Sequence, residues 1–307
     1  MAARHASDLE LLAFDEEFKG DVRLNEPMSK HTTYRIGGPV LAYAEVFTIA
    51  ALNKILSICK EEGLDWVAVG KGSNLLVSDE GFPGVVISLS GEFRNWKFDD
   101  EKGQVTVGAG TILSRLVQEV FHRGYSGMEF AVGTPGTVGG ALFMNAGTKD
   151  DWIGSRVVSV VTLSPSKGLK RYLSRDILWE KRSTSFSPDE VIVECELKLK
   201  PSLSSAVNDR MKSLLEARRA SQPLNYPSCG SVFRNPEGYS AGSLIENVGL
   251  KGFSQGGAEI SEKHANFIVN KNGATAQDVL TLIRLAQSKV KEQYGIELQT
   301  EVRLLGF

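Results

Sequence analysis

The chain has 307 residues, of which 42% are hydrophobic and 23% are charged, and its formal net charge at pH 7 is −2. This length predicts more than one domain, and the composition is that of a globular protein. The small net charge and the lack of a long lysine and arginine run argue against nucleic acid as a partner. No apolar stretch approaches the ~20 residues of a membrane span, and no signal-peptide pattern is present. We therefore expect a cytoplasmic protein without a membrane partner; a monomer is compatible with the sequence, which does not fix the oligomeric state.

The cysteines and histidines give no sign of a disulfide framework or a metal site. The three cysteines, Cys59, Cys195 and Cys229, are odd in number and show no C-x-x-C spacing. This usage is typical of a reducing compartment. The four histidines are scattered and form no metal-spaced cluster. We therefore expect chemistry that does not depend on a metal.

The first part of the chain predicts a βαβ unit. An amphipathic helix is expected within residues 1–19. A strand-like stretch at 41–47 precedes a helical pattern over 49–62 that Gly63 closes, and a short buried strand follows at 66–69. Strand, helix and strand in this order form a βαβ unit.

Strands and helices continue through the rest of the chain. Pro201 and the serine-rich run 202–205 predict a domain boundary, because the pattern turns helical after them. Thr275 and Asp278 form a capping box at the start of the last predicted helix. We expect three regions, namely an N-terminal segment at 1–34, a first domain at 35–200 and a second domain at 201–307. The other predicted elements are strands at 85–89, 105–107, 156–163, 169–173, 191–200, 266–270 and 300–305, and helices at 112–123, 207–220, 243–248 and 276–294.

A glycine-rich run at residues 133–147, which we call glycine loop 2, is the most unusual stretch of the sequence. Glycine lets the main chain adopt positive φ and lets a flat or charged ligand lie against it. Pro135 stiffens the run, and apolar residues within it predict that it enters a core. Buried N–H groups need acceptors, so a bound cofactor is expected to receive them.

A second glycine-rich run at residues 70–77, which we call glycine loop 1, follows the predicted strand at 66–69. It matches neither the Walker A nor the Rossmann pattern, and it leads into strand-like residues without a helix. A tight β-turn is one interpretation, and a nest of N–H groups for an anion is the other. Two such loops together favour a large phosphate-bearing cofactor, with Ser73 and Asn74 as side-chain donors to a pyrophosphate and glycine loop 2 beside a flat ring.

These loops strongly resemble the UDP-N-acetylenolpyruvoylglucosamine reductase family of peptidoglycan synthesis. The resemblance implies an α+β fold in which an FAD-binding domain of the vanillyl-alcohol-oxidase (PCMH) type precedes a smaller α+β substrate-binding domain. It also implies non-covalent FAD, NADPH as co-substrate and a UDP-sugar substrate, in the form of the family that lacks an extra tyrosine-bearing loop. The further blocks that carry it, in the family's order, are 182–186, 230–236, 241–246, 249–252, 264–267 and 301–303.

The resemblance assigns FAD binding to both glycine loops. The residues implied in glycine loop 1 are Gly70, Lys71, Gly72, Ser73, Asn74 and Leu75. The residues implied in glycine loop 2 are Gly133, Thr134, Gly136, Thr137, Val138, Gly139 and Gly140.

The implied reaction moves a hydride from NADPH to FAD and then from flavin N5 to C3 of an enolpyruvyl ether. Negative charge then develops on C2 and its carboxylate, and preorganised positive charge stabilises it. Arg182 matches the family's catalytic arginine and supplies a permanent charge. A solvated Lys181–Arg182 pair on a surface turn is the alternative interpretation. The family usually has an aromatic residue where this chain has Lys181, which puts the local packing in question.

Ser231 matches the family's proton donor to C2. A hydroxyl is a weak acid, so its geometry matters more than its ordinary pKa. The alternative is a turn serine after Gly230. Cys229 is a thiol two residues before Ser231, and we interpret it as a small packed residue because Ser231 occupies the motif position.

Glu301 is implied to stabilise the enol intermediate beside Arg182. Strand alternation predicts that Glu301 and Arg303 share one face of a strand, and an exposed charged face is the alternative. A carboxylate near developing negative charge has to be protonated or act through a water.

Asn235 is expected to contact the diphosphate or sugar of the substrate, and Arg234 is a further candidate for this contact. Arg218 and Arg219 could reach the same anion, but a charged helix face is the favoured interpretation for them. His264 lines the substrate domain in one interpretation and is a structural histidine in the other.

Two other functions are compatible with parts of the pattern. An FAD oxidase of the same fold would use molecular oxygen, and many such oxidases tether the flavin to a histidine in the first glycine loop. Glycine loop 1 has Lys71 and no histidine, which favours a non-covalent flavin. A flavin- or UDP-sugar-binding protein without catalysis is the other alternative, and the joint presence of Arg182, Ser231 and Glu301 argues against it.

Overall fold

The computed structural model describes residues 9, 11–12, 15–148, 150–202 and 204–307, with backbone alone at 204–208. The helices are α1 (Ile49–Glu62), α2 (Leu113–His122), α3 (Val138–Phe143), α4 (Ser204–Ser221), α5 (Ala241–Asn247) and α6 (Ala276–Tyr294). The strands in the first half are β1 (Gly20–Pro27), β2 (Pro39–Val46), β3 (Trp66–Ala68), β4 (Leu75–Val77), β5 (Phe82–Leu89), β6 (Trp96–Asp99), β7 (Gln104–Gly108) and β8 (Tyr125–Ser126). The later strands are β9 (Val157–Ser164), β10 (Gly168–Leu173), β11 (Trp179–Glu180), β12 (Ser183–Thr184), β13 (Val191–Lys198), β14 (Lys200–Pro201), β15 (Ser254–Gln255), β16 (Ala258–Ile260), β17 (Ile268–Asn270) and β18 (Arg303–Leu305).

The chain divides into two compact units, each made of separate segments. The larger unit comprises Met1–Asn25, Leu41–Gly70 and Gly84–Glu216. The smaller unit comprises Glu26–Val40, Lys71–Pro83 and Ala217–Phe307. The smaller unit therefore contains two early segments besides its C-terminal part. The predicted boundaries at residues 34/35 and 200/201 remain predictions.

The larger unit contains two multistranded sheets, the two-stranded pairs β11-β12 and β8-β14, and two hydrophobic cores. One sheet has the order β1-β2-β5-β3, and β3 pairs with β5 in parallel. The predicted βαβ unit is thus present, with β5 inserted between its two strands. The other sheet has the antiparallel order β10-β9-β13-β7-β6, and helices α2 and α3 contribute to the core beside it.

Helix α1 has the bounds that the sequence predicts, because local signals set both of its ends. The Thr48 side chain accepts a hydrogen bond from the Ala51 N–H at 3.2 Å, as an N-cap does. Gly63 ends the helix in the left-handed conformation with φ of 65°. One face of α1, including the fully buried Leu52 and Ile55, packs into the second core of the larger unit.

The smaller unit is an α+β arrangement around one core. Strands β15-β16-β17 form an antiparallel sheet, and β18 pairs with β4 in parallel. Tyr34, Ile36 and Leu76 from the early segments lie in this core with the apolar side chains of α5 and α6. Helix α6 begins at the predicted capping box, in which both Thr275 and Asp278 make their reciprocal hydrogen bonds.

Several parts of the sequence differ from their predictions. Helix α3, which lies inside glycine loop 2, was not predicted, and neither were strands β1, β6, β8, β15 and β16. The last strand covers Arg303–Leu305 and not 300–305. The predicted helix within residues 1–19 falls largely outside the described residues.

Candidate functional site

Glycine loop 2 belongs to the larger unit and contains the first turn of helix α3. Thr137 caps this helix, because its hydroxyl accepts a hydrogen bond from the Gly140 N–H at 3.3 Å. The N–H of Val138 donates to the Thr111 carbonyl at 2.9 Å, and that of Gly139 donates to the Ala109 carbonyl at 2.8 Å. The expectation that a cofactor receives the loop's N–H groups is therefore wrong for residues 138–140, since the protein already satisfies them.

The two faces of glycine loop 2 differ in exposure. Val138 and Leu142 are fully buried in the core of the larger unit, whereas Gly133 and Gly140 are exposed. A Cβ on Gly140 would meet only the Thr137 hydroxyl, at 3.5 Å, so the space outside this glycine is open. The glycines thus expose main chain without side chains, which fits a flat ring system lying against it.

A buried hydroxyl lies directly behind this loop. Thr111 is 1% exposed, and its carbonyl is the acceptor for the Val138 N–H. Its Oγ1 atom has no hydrogen-bond partner among the described residues. Buried polar groups are normally satisfied, so this hydroxyl and the open glycine face are consistent with a polar ligand at this loop.

Glycine loop 1 has donors for an anion. Among the described residues, no acceptor is found for the N–H groups of Gly70, Lys71 and Gly72. Gly72 has φ of 57°, and a Cβ there would come within 2.4 Å of the His31 carbonyl oxygen, so only glycine fits. Adjacent unsatisfied amides in a glycine turn are suited to phosphate oxygens. Both loops therefore fit a ligand such as FAD.

Arg182 lies at the tip of a hairpin in the larger unit. Strands β11 and β12 pair antiparallel, and Lys181 and Arg182 are the two residues between them. Arg182 has φ of 60°, an uncommon conformation for a residue with a side chain. The predicted turn is present, with Lys181 exposed and Arg182 half-buried. Aromatic packing beside the turn comes from Trp179 and Phe186, whose ring centroids are 6.2 Å apart.

Two side-chain hydrogen bonds join this hairpin to the end of α3. The Asn145 Nδ2 group donates to the Glu180 carbonyl at 2.9 Å, and the Gly154 N–H donates to Asn145 Oδ1 at 3.1 Å. The Thr184 hydroxyl donates to the Phe143 carbonyl at 2.9 Å. Asn145 and Thr184 were not predicted as functional residues, although Asn145 lies within glycine loop 2.

Ser231 belongs to the smaller unit, in a segment that Asn266 holds. The N–H of Val232 donates to the Asn266 carbonyl at 2.8 Å. The Asn266 side chain accepts from the Phe233 N–H at 2.9 Å and donates to the Phe233 carbonyl at 2.8 Å. Asn266 is 4% exposed, so these bonds are shielded from water. Gly230 precedes Ser231 with φ of 81°, so the predicted glycine turn is also present.

The residues just before Ser231 are fixed by an early segment of the same unit. The Thr33 hydroxyl donates to the Ser228 carbonyl at 2.7 Å. Cys229 is buried against Tyr34, and burial raises the pKa of the Cys229 thiol to about 12. Cys229 lies in the core of the smaller unit, which agrees with its interpretation as a small packed residue.

Glu301 lies next to the Ser231 segment in the smaller unit. The N–H groups of Glu301 and Val302 both donate to the Val232 carbonyl, at 2.8 and 3.3 Å. Strand β18 begins only at Arg303, so Glu301 lies just before the strand, and its predicted placement on one face with Arg303 stays a prediction. The Asn74 side chain donates to the Glu301 carbonyl at 3.0 Å. The segments that carry Ser231 and Glu301 are therefore joined through their backbones, and Asn74 of glycine loop 1 helps to hold Glu301.

Arg234 and Asn235 follow Ser231 along the chain. Arg234 lines a cleft of about 610 Å³ with residues of α6 and with 297–300. Its Nε atom is buried without a partner among the described residues. The Asn235 side chain accepts a hydrogen bond from the Ala241 N–H at 2.9 Å, at the start of α5.

The remaining candidate side chains have structural partners in the smaller unit. The Arg218 guanidinium donates to the Gln222 side chain at 2.9 Å, and Arg219 is exposed on the same helix. His264 Nδ1 accepts from the Asn266 N–H at 3.2 Å, and burial lowers the pKa of His264. His264 thus supports the asparagine that holds the Ser231 segment.

The described residues show neither a metal site nor a membrane-spanning helix. In the described part of the chain, His, Cys, Asp and Glu side chains form no group of three or more that could hold a metal ion. None of the described helices is both long and apolar enough to cross a membrane.

Comparison with known proteins agrees with this architecture. Residues 40–164 match an FAD binding domain, and residues 222–305 match the UDP-N-acetylenolpyruvoylglucosamine reductase C-terminal domain. The fold is thus that of an FAD-binding oxidoreductase of the PCMH type with a second, α+β domain.

Relatives over nearly the whole chain define the family. The reductase of Heliobacterium modesticaldum is 42% identical over 94% of this chain and 92% of its own length, and that of Bacillus licheniformis is 40% identical over 94% and 95%. The crystal structure of the reductase from Thermus caldophilus has a TM-score of 0.80 at 36% identity and covers 93% of this chain and 98% of its own. The chain belongs to the UDP-N-acetylenolpyruvoylglucosamine reductase family.

Proposed function

We propose that this protein reduces the enolpyruvyl ether of UDP-N-acetylglucosamine to UDP-N-acetylmuramate, a step of peptidoglycan precursor synthesis, with NADPH as the reductant. The observation that carries the proposal is a backbone bond, in which the Glu301 N–H donates at 2.8 Å to the carbonyl of Val232, the residue after Ser231. The main-chain segments that carry a proton donor and a carboxylate are thereby joined. Identity of about 40% to the family over 94% of the chain supports it.

FAD, when bound, supplies the two-electron chemistry that links NADPH to the substrate double bond. Gly70, Lys71 and Gly72 would hold its pyrophosphate through N–H groups that lack a described acceptor. The exposed glycines of glycine loop 2 would lie along its ring system. Binding is non-covalent in this proposal, because glycine loop 1 has no histidine to carry a tether.

Arg182 provides positive charge for the substrate carboxylate. Its guanidinium presents a fork of donors that matches a carboxylate. As negative charge develops on that group in the transition state, a cation already in place lowers the barrier. The hairpin that carries Arg182 is tied to α3, which supports a fixed origin for this long side chain.

Ser231 delivers the proton to C2 from its hydroxyl. The flanking backbone is fixed at Val232 and Phe233 by Asn266, so the hydroxyl has little freedom apart from rotation about χ1. Geometry compensates for a weak acid when the acceptor is a strongly basic carbon. Glu301 stabilises the enol form of the intermediate, in a protonated state or through a water.

Arg234 and Asn235 contact the diphosphate or sugar of the UDP-substrate in this proposal. The Arg234 guanidinium makes no hydrogen bond to a described side chain, and its buried Nε is therefore available for an anion. A charge-assisted bond to phosphate would satisfy it.

The remaining proposals concern organisation and location. We assign the FAD-binding domain to residues 35–200 and the substrate domain to 201–307, because the family matches at 40–164 and 222–305 fall within them. Cys59, Cys195 and Cys229 are buried free thiols, which fits work in the reducing cytoplasm.

An anaerobic experiment tests the function. The purified holoenzyme is reduced with NADPH, and UDP-N-acetylglucosamine enolpyruvate is then added while flavin absorbance is followed. We expect rapid reoxidation with formation of UDP-N-acetylmuramate. Reoxidation by oxygen alone would identify an oxidase, and the absence of any reduction by NADPH would identify a binding protein.

A further inference from the structure

The hairpin that carries Arg182 has few backbone connections of its own. Strands β11 and β12 have two residues each and pair only with one another. A two-stranded hairpin this short is not stable by itself in water. Its position must therefore come from contacts with the rest of the larger unit.

Two side chains make those contacts on opposite sides of Arg182. Asn145 bonds to the carbonyl of Glu180, two residues before Arg182, and Thr184, two residues after it, bonds to the Phe143 carbonyl. Both bonds are 2.9 Å long. The hairpin is thus attached through both strands to residues 143–145, at the C-terminal end of α3.

Asn145 is well suited to hold this geometry. It is 5% exposed, and its φ of 41° is one that asparagine tolerates better than other residues with a side chain. Its Oδ1 accepts from the Gly154 N–H while its Nδ2 donates to Glu180, so the amide is anchored at both atoms. A Cβ on Gly154 would lie 2.5 Å from the Trp179 ring, so the backbone there packs tightly under the hairpin.

We propose that Asn145 and Thr184 are positioning residues that place Arg182 relative to glycine loop 2. They act through Arg182 and do not touch the reacting atoms. Glycine loop 2, which would lie along the flavin ring, thereby also fixes the backbone position of Arg182, the cation for the substrate carboxylate. This inference rests on the proposed function for its catalytic consequence.

The first test uses the matched pair Thr184→Val and Thr184→Ser in the holoenzyme. Valine has the shape of threonine without its hydroxyl, and serine keeps the hydroxyl. We expect Thr184→Val to slow flavin reoxidation by UDP-N-acetylglucosamine enolpyruvate by about 10- to 100-fold, since small displacements of a catalytic group cost rates of this order. Flavin reduction by NADPH and the FAD dissociation constant should not change, and Thr184→Ser should restore most of the rate. Equal slowing of both half-reactions, or no slowing, would overturn the proposal.

A double-mutant comparison asks whether Thr184 acts through Arg182. In an Arg182→Ala background, Thr184→Val should cause no further loss of the reoxidation rate, because the group that it positions is gone. The same fold-loss in both backgrounds would contradict the positioning role. If Thr184→Val does not retain flavin, Asn145→Asp serves in its place, since it keeps the acceptor for the Gly154 N–H and removes the donor to Glu180.

A third measurement does not depend on catalysis. Trypsin cleaves after Lys181 and Arg182, so the rate of cleavage at this turn reports how firmly the hairpin is held. We expect faster cleavage in Thr184→Val than in the wild type and wild-type behaviour in Thr184→Ser. Thr162→Val is the control, because the buried Thr162 hydroxyl has no described partner. Unchanged cleavage in Thr184→Val would refute the attachment of the hairpin. This result does not depend on substrate turnover, so the attachment and the proposed function can fail independently.

Discussion

Arg182 and Ser231 are held in different ways, and their side chains differ in length. In the Arg182 hairpin, side-chain bonds from Asn145 and Thr184 lie on either side of the arginine. The Ser231 segment is fixed through its main chain, which Asn266 bonds on both sides of Phe233. A serine hydroxyl is displaced as far as its backbone moves, whereas a long arginine side chain can adjust. We therefore expect changes around Ser231 to cost more than changes around Arg182.

The largest effect is expected from the proton donor itself. Ser231→Ala should lower the rate of flavin reoxidation by the enolpyruvyl substrate about 10²- to 10⁴-fold, the usual contribution of a positioned general acid. Flavin reduction by NADPH should stay within a factor of about two, because Ser231 has no part in that step. Stopped-flow measurement of the two half-reactions separates them, and equal losses in both would contradict the assignment.

Asn266→Ala should have the next largest effect, and it should act on stability as well as rate. It leaves a buried Phe233 N–H and carbonyl without partners, and each unsatisfied group costs about 1–3 kcal/mol. Denaturant unfolding should show a corresponding loss, and the reoxidation rate should fall further than in Thr184→Val. Asn272→Ala, at an exposed asparagine, is the control. A stable Asn266→Ala variant with normal turnover would show that changes around Ser231 do not cost more than changes around Arg182.

Thr33→Val tests the more distant support of the Ser231 segment. It removes the donor to the Ser228 carbonyl, and a bond of this kind contributes about 1 kcal/mol. We expect the reoxidation rate to fall a few-fold and the free energy of unfolding to fall by about 1 kcal/mol. Thr33→Ser should stay close to the wild type. If the serine variant were as impaired as the valine variant, packing and not the hydroxyl would be responsible.

The capping box of α6 should affect stability alone. Hydrogen bonds from the Thr275 and Gly257 N–H groups lower the pKa of Asp278 in the folded protein. A lowered folded pKa contributes stability above the unfolded pKa, and that contribution is lost as the pH falls through the folded value. The wild type should therefore be more stable than Asp278→Asn at pH 6. This difference in the free energy of unfolding should shrink as the pH falls toward about 3, through the range of the ordinary Asp pKa. A gap that stays constant in urea unfolding over this range would contradict the interpretation.

The smallest effect is expected at Cys229. Since burial raises the pKa of its thiol to about 12, the thiol stays protonated and does not titrate in the working range. Cys229→Ser should leave the shape of the pH–rate profile unchanged, and iodoacetamide should not modify Cys229 in the native protein at pH 8, well below that pKa of about 12. A shifted acidic limb in the serine variant would instead make Cys229 part of the proton pathway.

The sequence predicts the helices whose ends have local signals. Thr48 and Gly63 define α1, and Thr275 with Asp278 defines the start of α6. Helix α3 escapes this approach, because its glycines have low helix propensity. It forms on tertiary contacts, in which carbonyls from the neighbouring strand region receive the N–H groups of residues 138 and 139.

The candidate site is likewise predictable from the sequence only in part. Motif matches predict Ser231 and Arg182 as site residues, yet they do not reveal what holds them. Thr33 bonds to a residue 195 positions away, and Asn266 bonds to one 33 positions away. No short-range pattern encodes such pairs. Asn145 was visible within glycine loop 2, but its hydrogen bonds to the hairpin depend on how the chain folds back.

The discontinuous smaller unit has a consequence for synthesis on the ribosome. The Asn74 side chain bonds to a carbonyl 227 positions later, and Tyr34 donates its hydroxyl hydrogen to a carbonyl 234 positions later. Strand β4, which directly follows residues 70–74 of glycine loop 1, has β18 as its parallel partner. During translation these early segments wait for most of the chain before their core can close. Under the proposed function, capture of FAD by glycine loop 1 therefore comes late in synthesis, and growing chains are exposed to aggregation until then.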